Sequence, residues 1–345
     1  MAGEMRFAVF GAGFWPRYQL AAWNEVGGVR CVAVCDRNRA RAEALAREMN
    51  IPAVYDDPEA LFQGESGRLD FIDNITQVEG HKPITLLAAK YRVPAICQKP
   101  LAETLEDAEQ MAEACRTAGV PLLVHENWRW QTPMRAAKRV IQAGTLGQVF
   151  RARLEMVTRF AAWENQPALA RLQQFILTDI GTHVLDAARF LFGEADRLYC
   201  QTHCTLPAEV AGENVATVQL SMNGGQTTVV CSMAYARTPV ERECFPQTLL
   251  FVEGTAGSLE IAPNYDLRVT TSDGTRAERV APPRYGWANP DYDVVHASLV
   301  PCLRDLKDGL TGAKTAETTA EDNLRTLRLV FAAYESAETG QAVRL

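Results

Sequence analysis

The chain has 345 residues, 47% hydrophobic and 22% charged, which excludes a disordered protein and leaves room for two cores. Its 35 basic and 42 acidic side chains give a net charge of −7, so neither nucleic acid nor an anionic membrane is an expected partner. The nine cysteines are scattered without a CxxC pair or a partnered Cys/His set, so we expect no metal site and no disulfide framework. Neither an export leader nor an apolar run long enough to cross a bilayer is found, and we expect a cytoplasmic protein.

The beginning of the chain follows the order strand, glycine turn, helix, strand and acid. The parts are Met5–Phe10, Gly11-Ala12-Gly13, Trp15 to Glu25, Val29–Cys35 and Asp36. Glycines let a backbone come close to a pyrophosphate at a helix N-terminus, and the acid accepts hydrogen bonds from the adenosine ribose. Pro16 occupies the third glycine position of the usual motif, where it starts the helix. The order predicts a dinucleotide site that includes Gly11, Gly13, Phe14 and Trp15.

The residues after the second strand bear on which dinucleotide binds. Asp36 favours NAD, because its carboxylate would repel the 2′-phosphate of NADP. Arg37 beside it is a residue type that accommodates such a phosphate, although its simpler role is to lie over the adenine. NAD is therefore the predicted cofactor, and NADP is the less favoured alternative.

Polar residues follow the next long strand, at the carboxyl end where open α/β sheets bind ligands. The strand Leu69–Asp73 is followed by Asn74, Thr76 and Gln77, and His81 opens the next helix. His81 is read either as a capping or surface histidine or as a residue near the cofactor. We assign these four polar residues to the cofactor site.

A lysine follows another short strand. Ala95–Cys97 is apolar, and Gln98-Lys99-Pro100 comes directly after it. Pro100 biases Lys99 toward an extended backbone and ends the strand. Taken alone, Lys99 reads as a solvated lysine at the start of a loop. In a chain that opens with a nucleotide-binding pattern, Gln98 and Lys99 become candidates for contact with the cofactor, and Lys99 for contact with the substrate as well.

Strands and helices alternate throughout this half of the chain. The predicted strands are Met5–Phe10, Val29–Cys35, Ala53–Tyr55, Leu69–Asp73, Ala95–Cys97 and Pro121–Val124. Alternation of this kind predicts an α/β domain with a parallel, doubly wound sheet. We assign this Rossmann domain to residues 1–127.

Beyond a helix from Thr132 to Ala143, strands with a period of two take over. They are Gly147–Val157, Arg197–Cys204, Glu213–Met222, Gln226–Tyr235, Thr248–Glu253 and Ser258–Ile261. Neighbouring antiparallel strands predict an α+β domain over residues 128–345, built on an open, mostly antiparallel sheet. Both faces of Gln226–Tyr235 are apolar enough to be covered, which favours a homodimer or homotetramer formed through this sheet. The amphipathic helix Thr319–Ala337 is structural and can pack back on the first domain.

The helix Gln174–Phe192 carries a second candidate for chemistry. Asp179 and His183 are four residues apart and share one helix face, so the carboxylate can fix the imidazole tautomer and raise its basicity. A surface Asp–His pair is the alternative, but Gly181 between them costs helix stability and suggests the close approach of a ligand. Trp163, in the preceding loop, is either a sugar-stacking ring or a packing residue.

These features together resemble the Gfo/Idh/MocA oxidoreductases over nearly the whole chain. The family's Glu-Lys-Pro motif is present as Gln98-Lys99-Pro100, its Asp-x-x-x-His motif as Asp179 to His183, and its glycine turn as Gly11-Ala12-Gly13. Gln98 replaces a glutamate that commonly touches the nicotinamide ribose in relatives, where an uncharged amide can still form a hydrogen bond.

The resemblance implies an NAD-dependent oxidation of a sugar at C1 to its lactone. The residues assigned to catalysis are Lys99, Asp179 and His183, and those assigned to the substrate are the same three with Asn127 and Trp163. Asn127 is also assigned to the cofactor, since it can position either the nicotinamide or the sugar. His183 is the implied base, oriented by Asp179, and Lys99 is implied to bind the same hydroxyl oxygen.

Two stretches narrow the resemblance further. Phe14-Trp15-Pro16 and Glu126-Asn127-Trp128-Arg129-Trp130 are similar to those of bacterial members that oxidise a branched pentose to its lactone with NAD. The first alternative is oxidation of a secondary alcohol of a cyclic polyol, as in the inositol dehydrogenases. The second alternative is a non-catalytic NAD-binding sensor, although such relatives have typically lost the lysine or the histidine that this chain keeps.

Overall fold

The computed structural model describes residues 4–235 and 247–345, which separate into two units. Unit 1 contains the chain up to Glu126 together with Leu299–Leu327. Unit 2 contains Asn127–Ser298 and Arg328–Leu345. The last long helix therefore belongs to unit 1 at its beginning and to unit 2 from Arg328 onward.

Unit 1 is built on a six-stranded sheet in the order β3-β2-β1-β4-β5-β6, with every neighbouring pair parallel. The strands are β1 (Met5–Phe10), β2 (Val29–Cys35), β3 (Ala53–Tyr55), β4 (Phe71–Asn74), β5 (Ala95–Gln98) and β6 (Leu122–His125). The strand order reverses between β1 and β4, and ligands of open α/β sheets bind at such a switch point. The predicted Rossmann sheet is confirmed.

Five helices connect the strands of unit 1, and three of them begin at a side-chain cap. They are α1 (Pro16–Val26), α2 (Arg39–Met49), α3 (Pro58–Glu65), α4 (His81–Lys90) and α5 (Leu105–Ala118). Side chains of Asn38, Asp57 and Thr104 each accept a backbone N–H of the first turn that follows. Such a cap stabilises a helix by about 1 kcal/mol.

Unit 2 is built on a nine-stranded sheet in the order β14-β13-β12-β11-β7-β10-β9-β8-β15. Its strands are β7 (Val149–Thr158), β8 (Ala195–His203), β9 (Val215–Met222), β10 (Thr227–Tyr235), β11 (Leu249–Gly254), β12 (Gly257–Ala262), β13 (Asp266–Thr271), β14 (Gly274–Arg279) and β15 (Val343–Arg344). Neighbours are antiparallel except β7 and β10, which are parallel. The predicted open, mostly antiparallel sheet is confirmed, and β13 to β15 extend it.

The remaining helices are α6 (Thr132–Gln142), α7 (Ala162–Asn165), α8 (Thr182–Phe192), α9 (Asp293–Leu310) and α10 (Ala320–Thr339). The helix predicted to begin at Gln174 begins later in the chain and is less regular. A π-helical turn, Leu177–Gly181, leads into α8. It begins there because Glu213 Oε1 accepts the backbone N–H groups of Phe175 and Leu177, at 3.0 and 3.3 Å. Within the described ranges, no helix has both the length and the hydropathy to cross a membrane.

The π turn and α8 pack closely on β10. A Cβ atom on Gly181 would lie 3.3 Å from Sδ of Met233, whose side chain is buried in the core face of that strand. A side chain at this position would press on that sulfur, so glycine favours the close contact between helix and sheet. The approach of a ligand at Gly181 stays a prediction. This contact brings the π turn to the carboxyl end of β10, where Tyr235 stands.

Candidate active site

The glycine turn after β1 has the geometry of a dinucleotide-binding loop. Gly11 has φ +98°, and a Cβ there would lie 2.6 Å from the carbonyl oxygen of Ile75, so only glycine fits. A Cβ on Gly13 would meet nothing within 4 Å, so that side of the turn is open. The N-terminus of α1 follows with no side-chain cap, which leaves its positive end available to an anion.

Asp36 ties the end of β2 to this turn. Its Oδ2 accepts the N–H of Ala12 at 2.7 Å, and its Oδ1 accepts the N–H of Asn38 at 2.8 Å. A carboxylate offers about four acceptor positions, so capacity remains for ribose hydroxyls. The Arg37 side chain is 85% exposed and lies 3.4 Å from Glu79.

The rings predicted to follow the turn pack on one another. Phe14 meets Tyr18 edge to face at 5.3 Å between ring centroids, and Trp15 lies 6.1 Å from the same ring. Both rings are half-buried, so they keep part of their surface in solvent.

The residues after β4 form a braced turn. Asn74 is the last residue of β4, paired with Phe10, rather than the first residue after it. Its Oδ1 accepts Oγ1–H of Thr76 at 2.8 Å, while Gln77 is exposed. His81 is 1% exposed, with Nδ1 2.9 Å from the carbonyl oxygen of Pro100 and Nε2 3.2 Å from that of Thr76. It therefore links the turn after β4 to the turn that follows Lys99, and burial lowers its pKa.

Lys99 stands directly after β5, where the sequence placed it, and is half-buried. The Lys99–Pro100 peptide is cis. The backbone N–H of Lys99 is donated to Oε1 of Gln98 at 3.2 Å. Gln98 itself is the last residue of β5, 8% exposed, and its amide nitrogen faces other buried polar groups.

In unit 2, His183 is held by an indole ring. The Trp128 and His183 rings are stacked, with centroids 4.3 Å apart and planes inclined by 18°. Trp128 is fixed in turn, since its Nε1 donates to Oγ1 of Thr248 at 2.8 Å. His183 is 4% exposed, so this stack sets the plane of an almost completely buried imidazole.

Asp179 lies in the π turn and remains partly exposed. Its Oδ2 accepts the hydroxyl hydrogen of Tyr235 at 2.8 Å. Burial, followed by the neighbouring Asp179 charge, holds the pKa of Tyr235 well above its usual value, so the phenol stays a donor. π-Helical turns recur at functional sites, and this one presents a carboxylate oriented by a tyrosine.

The helix that carries His183 is held by buried charges. Arg129 donates from Nε to Oδ2 of Asp186 at 2.7 Å, and Arg189 lies 3.7 Å from Oδ1 of the same carboxylate. Asp186 is fully buried, and both arginines are nearly so. Arg129 follows Trp128 in one short 3₁₀ turn, so this ion pair also positions the ring that stacks on His183.

The side chains of Asn127 and Trp163 mainly contact other side chains of unit 2. Asn127 is 3% exposed and donates from Nδ2 to Oγ of Ser298 at 2.7 Å. Trp163 is 8% exposed and meets Phe175 and Tyr235 edge to face, at 5.9 and 5.8 Å. These contacts are those of a packing residue, the second of the two roles considered for Trp163. Through Tyr235 the indole also supports Asp179.

An aromatic cluster borders the same region of unit 2. Tyr292 meets Phe160 edge to face at 4.9 Å and stacks on His296 at 5.5 Å, and Tyr285 stacks on Trp287 at 5.3 Å. Tyr292 is close enough to Tyr235 to contribute to its raised pKa. His296 is buried, and burial lowers its pKa to about 4, whereas the other four rings are half-buried.

Four residues that matter here were not predicted as site residues. They are Trp128, Thr248 and Tyr235 around His183 and Asp179, and Asp73, which is held inside unit 1 by neutral donors. No sequence pattern marks them, because each contact joins elements that are far apart in the chain. The only local signal was the density of aromatic and polar residues around Trp128.

The family model described as an oxidoreductase family with an NAD-binding Rossmann fold matches residues 5–126, and the Gfo/Idh/MocA C-terminal domain matches residues 134–260. The chain belongs to the Gfo/Idh/MocA oxidoreductase family. It is 41% identical over 98% of its length to D-apiose dehydrogenase of Paraburkholderia graminis, of which 89% is covered. It is 38% identical over 99% of its length to D-apiose dehydrogenase of Rhizobium rhizogenes, of which 97% is covered.

A solved oxidoreductase from Agrobacterium radiobacter, in complex with NAD+, L-tartaric acid and magnesium, has a closely similar fold. Its TM-score is 0.95, at 37% identity, over 99% of this chain and 98% of that one. The chain is thus an NAD-binding oxidoreductase, as the sequence predicted.

The residues of unit 1 fit NAD. Gly11 has a conformation that requires glycine, Gly13 leaves open space, α1 presents an uncapped N-terminus and Asp36 keeps free acceptor capacity. Such a set suits a pyrophosphate and a ribose. Across 4–235 and 247–345, no group of three or more His, Cys, Asp or Glu side chains could hold a metal ion.

Proposed function

We propose that this oxidoreductase oxidises the C1 hydroxyl of an aldose to the lactone, and that its sugar is D-apiose, which becomes D-apionolactone. The observation that carries the proposal is the identity of 41% and 38%, over nearly the full chain, with two relatives named D-apiose dehydrogenase. This chain has a glycine turn, a lysine after β5, and Asp179 and His183 in the helical segment that leads into α8, and these groups suit such a reaction.

The proposed chemistry removes a proton and a hydride from the same carbinol. His183 accepts the proton of the C1 hydroxyl, and Asp179 keeps the imidazole basic and in one tautomer. Lys99 donates a hydrogen bond to the same oxygen and stabilises the negative charge that develops on it. When bound, NAD accepts the hydride of C1. The stack of Trp128 on His183 supports this role, since it fixes the plane of the base before the sugar arrives.

We assign the apolar face of the sugar to the half-buried rings of unit 2. Phe160, Trp287 and Tyr292 keep part of their surface accessible. Aromatic rings suit the C–H face of a sugar, while their polar neighbours suit its hydroxyls. The buried Trp163 contributes indirectly, through Tyr235 and Asp179. Asn127, Asn74, Thr76, Gln77 and His81 remain assigned to the surroundings of the cofactor or the sugar.

The test is absorbance at the reduced-nicotinamide band, with NAD and separately NADP, against D-apiose, linear aldoses and cyclic polyols. The expected result is reduction of NAD by D-apiose, with the lactone identified by mass spectrometry. Activity confined to inositols would replace the proposal with a polyol dehydrogenase. Tight NAD binding without reduction by any sugar would favour the sensor.

A variant of the base tests the assignment of residues. His183→Ala should lower kcat by about 10²–10⁴-fold, which is the usual contribution of general base catalysis. NAD affinity, measured by titration, should stay within about twofold of wild type, because no proton transfer is involved in cofactor binding. His203→Ala, at an exposed histidine of β8, is the matched control. Near-normal turnover of His183→Ala would contradict the assignment.

A homodimer or homotetramer formed through the unit 2 sheet is the proposed assembly. A row of neighbouring residues crosses five strands on the open face: Tyr199, Gln219, Val230, Arg153 and Phe251. Val230 and Phe251 are half-buried apolar groups in that row. Light scattering should report a multiple of 38.1 kDa, and Val230→Lys should shift the mass toward the monomer. An unchanged mass for that variant would place the interface elsewhere.

The cytoplasm is the proposed compartment. The described cysteines Cys31, Cys35, Cys97, Cys115, Cys200, Cys204, Cys231 and Cys302 are all free thiols. Free thiols suit a reducing compartment. Fractionation of the native host, with an antibody against the chain, tests this assignment, and recovery outside the cytoplasm would refute it.

A further inference from the structure

A continuous set of buried polar side chains links β4, β5 and β6 of unit 1. Gln19 donates from Nε2 to both oxygens of Asp73, at 2.9 and 2.8 Å, and Trp23 donates from Nε1 to Oδ2 at 2.8 Å. Gln98 donates from Nε2 to Oε1 of Gln19 at 2.6 Å and lies 3.1 Å from Nδ1 of His125. Gln19, Asp73 and His125 are fully buried, so this network forms without solvent.

The direction of every hydrogen bond follows from the carboxylate. Burial raises the pKa of Asp73 to about 6, so at pH 8 it is ionised and can only accept. Gln19 must therefore turn its NH₂ toward Asp73, which leaves its oxygen facing Gln98. Gln98 must then present its own NH₂ to that oxygen. Its remaining atom, Oε1, accepts the backbone N–H of Lys99 at 3.2 Å.

We propose that Asp73, acting through Gln19, is a positioning residue that requires an amide at position 98 and sets the orientation of Gln98 against the backbone of Lys99. The inference concerns this chain's own departure from the Glu-Lys-Pro motif. Only its effect on turnover rests on the function proposed above, whereas the network itself can be tested without a substrate.

A glutamate at position 98 conflicts with this network. Its carboxylate oxygen would replace the amide nitrogen that lies 2.6 Å from Oε1 of Gln19. Gln19 has one NH₂ group, at one end, and Asp73 already uses it. Gln98→Glu therefore deprives one of the two buried carboxylates of the Gln19 donor, and a buried charge with fewer hydrogen bonds is destabilising.

Moving the charge should resolve the conflict. In Asp73→Asn/Gln98→Glu, the amide introduced at position 73 keeps an oxygen for Trp23 Nε1–H and gains an NH₂ group that can donate to Gln19. Gln19 then turns over and donates to the carboxylate at position 98. The number of buried carboxylates is the same as in wild type, and each amide again has a donor and an acceptor facing it. The backbone N–H of Lys99 then donates to an oxygen of the carboxylate at position 98, in place of the amide oxygen of Gln98.

The experiment is a double-mutant cycle on the full chain at pH 8, with Asp73→Asn, Gln98→Glu and the double variant. Gln98→Glu should lower Tm by on the order of 5 °C and kcat by about tenfold, with KM for the sugar changed less, because Lys99 is displaced rather than removed. The double variant should recover more than half of the Tm loss and kcat within about threefold of wild type. That recovery of kcat is the readout that a purely structural role would not require.

Matched controls carry the same charge changes at exposed positions. Gln341→Glu and Asp273→Asn lie outside unit 1 and should leave Tm and kcat unchanged, alone and together. Wild-type behaviour of Gln98→Glu would overturn the proposal, and so would a double variant no better than Gln98→Glu. If Gln98→Glu is recovered only as insoluble protein, soluble yield replaces Tm: a soluble double variant supports the proposal, and an insoluble one overturns it.

The Tm part of the cycle uses no sugar, so it separates this inference from the proposed function. If wild type oxidises none of the tested sugars, the proposed function fails, while recovery of Tm in the double variant still supports the network. If wild type oxidises D-apiose and the cycle shows no recovery, the network fails and the proposed function stands.

Discussion

Each unit contains a completely buried aspartate, and the two are held in opposite ways. Asp73 of unit 1 is bound by the neutral amide of Gln19 and the neutral indole of Trp23. Asp186 of unit 2 is bound by the guanidinium of Arg129, with the guanidinium of Arg189 3.7 Å away. Neutral donors satisfy a carboxylate without cancelling its charge, so Asp73 can direct amide orientations. Guanidinium groups cancel the charge, so Asp186 serves as a fixed anchor for the helix that carries His183.

The largest effect is expected from removing the charge of the anchor. Asp186→Asn leaves Arg129 and Arg189 buried without their shared carboxylate, which should cost about 3–5 kcal/mol in the free energy of unfolding. Urea denaturation measures it. Glu253→Gln, which removes one partner of the exposed Arg151 ion pair, should cost less than about 1 kcal/mol. Equal losses for the two variants would show that Asp186 is not held by charge.

A smaller effect, opposite in its pH dependence to that of an ion-paired aspartate, is expected at Asp73. Burial raises its pKa from 3.8 to about 6, so the folded state binds the proton more tightly than the unfolded state. Stability from this group is therefore fully present below pH 4 and is lost as the pH rises through 6, by roughly 3 kcal/mol for about two pKa units. The difference in unfolding free energy between wild type and Asp73→Asn should change by that amount between pH 4 and 7. A constant difference would mean that the pKa is not raised.

The fold was predictable because local signals agree along the chain. Six apolar segments that alternate with helical segments are best accommodated in a single parallel sheet, and the period-two segments of the second half indicate another sheet. The strands β13 and β14 were missed, although Asp273-Gly274 between them is a turn signal. The helix α9 was missed because Pro301 stands inside it.

Candidate site residues could be named from the sequence only where a local pattern singles them out. Lys99 follows a strand and precedes a proline, and Asp179 and His183 are four residues apart, so spacing alone marks them as candidates whose catalytic roles stay a prediction. Spacing cannot find Trp128 stacked on His183, or Tyr235 bonded to Asp179, because these pairs are formed by elements far apart in the chain. The orientation of Gln98 is likewise decided by groups on other strands and on α1.

A more modest effect, on turnover rather than stability, is expected at the tyrosine that holds Asp179. Tyr235→Phe removes one hydrogen bond of 2.8 Å to a carboxylate, so kcat/KM should fall by about tenfold, equivalent to about 1.4 kcal/mol. NAD affinity should not change. Tyr55→Phe removes a similar bond, 3.1 Å from Glu65 in unit 1, and should leave kcat/KM unchanged. The same loss in both variants would assign the effect to general destabilisation.

The smallest effect should come from the acceptor that fixes the indole of Trp128. Thr248→Val keeps the side-chain shape but removes the oxygen 2.8 Å from Nε1, so the buried N–H loses its partner at a cost of about 1 kcal/mol in unfolding free energy. Because the indole is stacked on His183, kcat should fall a few-fold as well. Thr270→Val, at an exposed threonine of β13 whose hydroxyl also has a partner, should affect neither quantity. A loss of stability with unchanged kcat would mean that the stack keeps the imidazole plane without help from Thr248, and that the buried charges around Asp186 alone position the helix of the base.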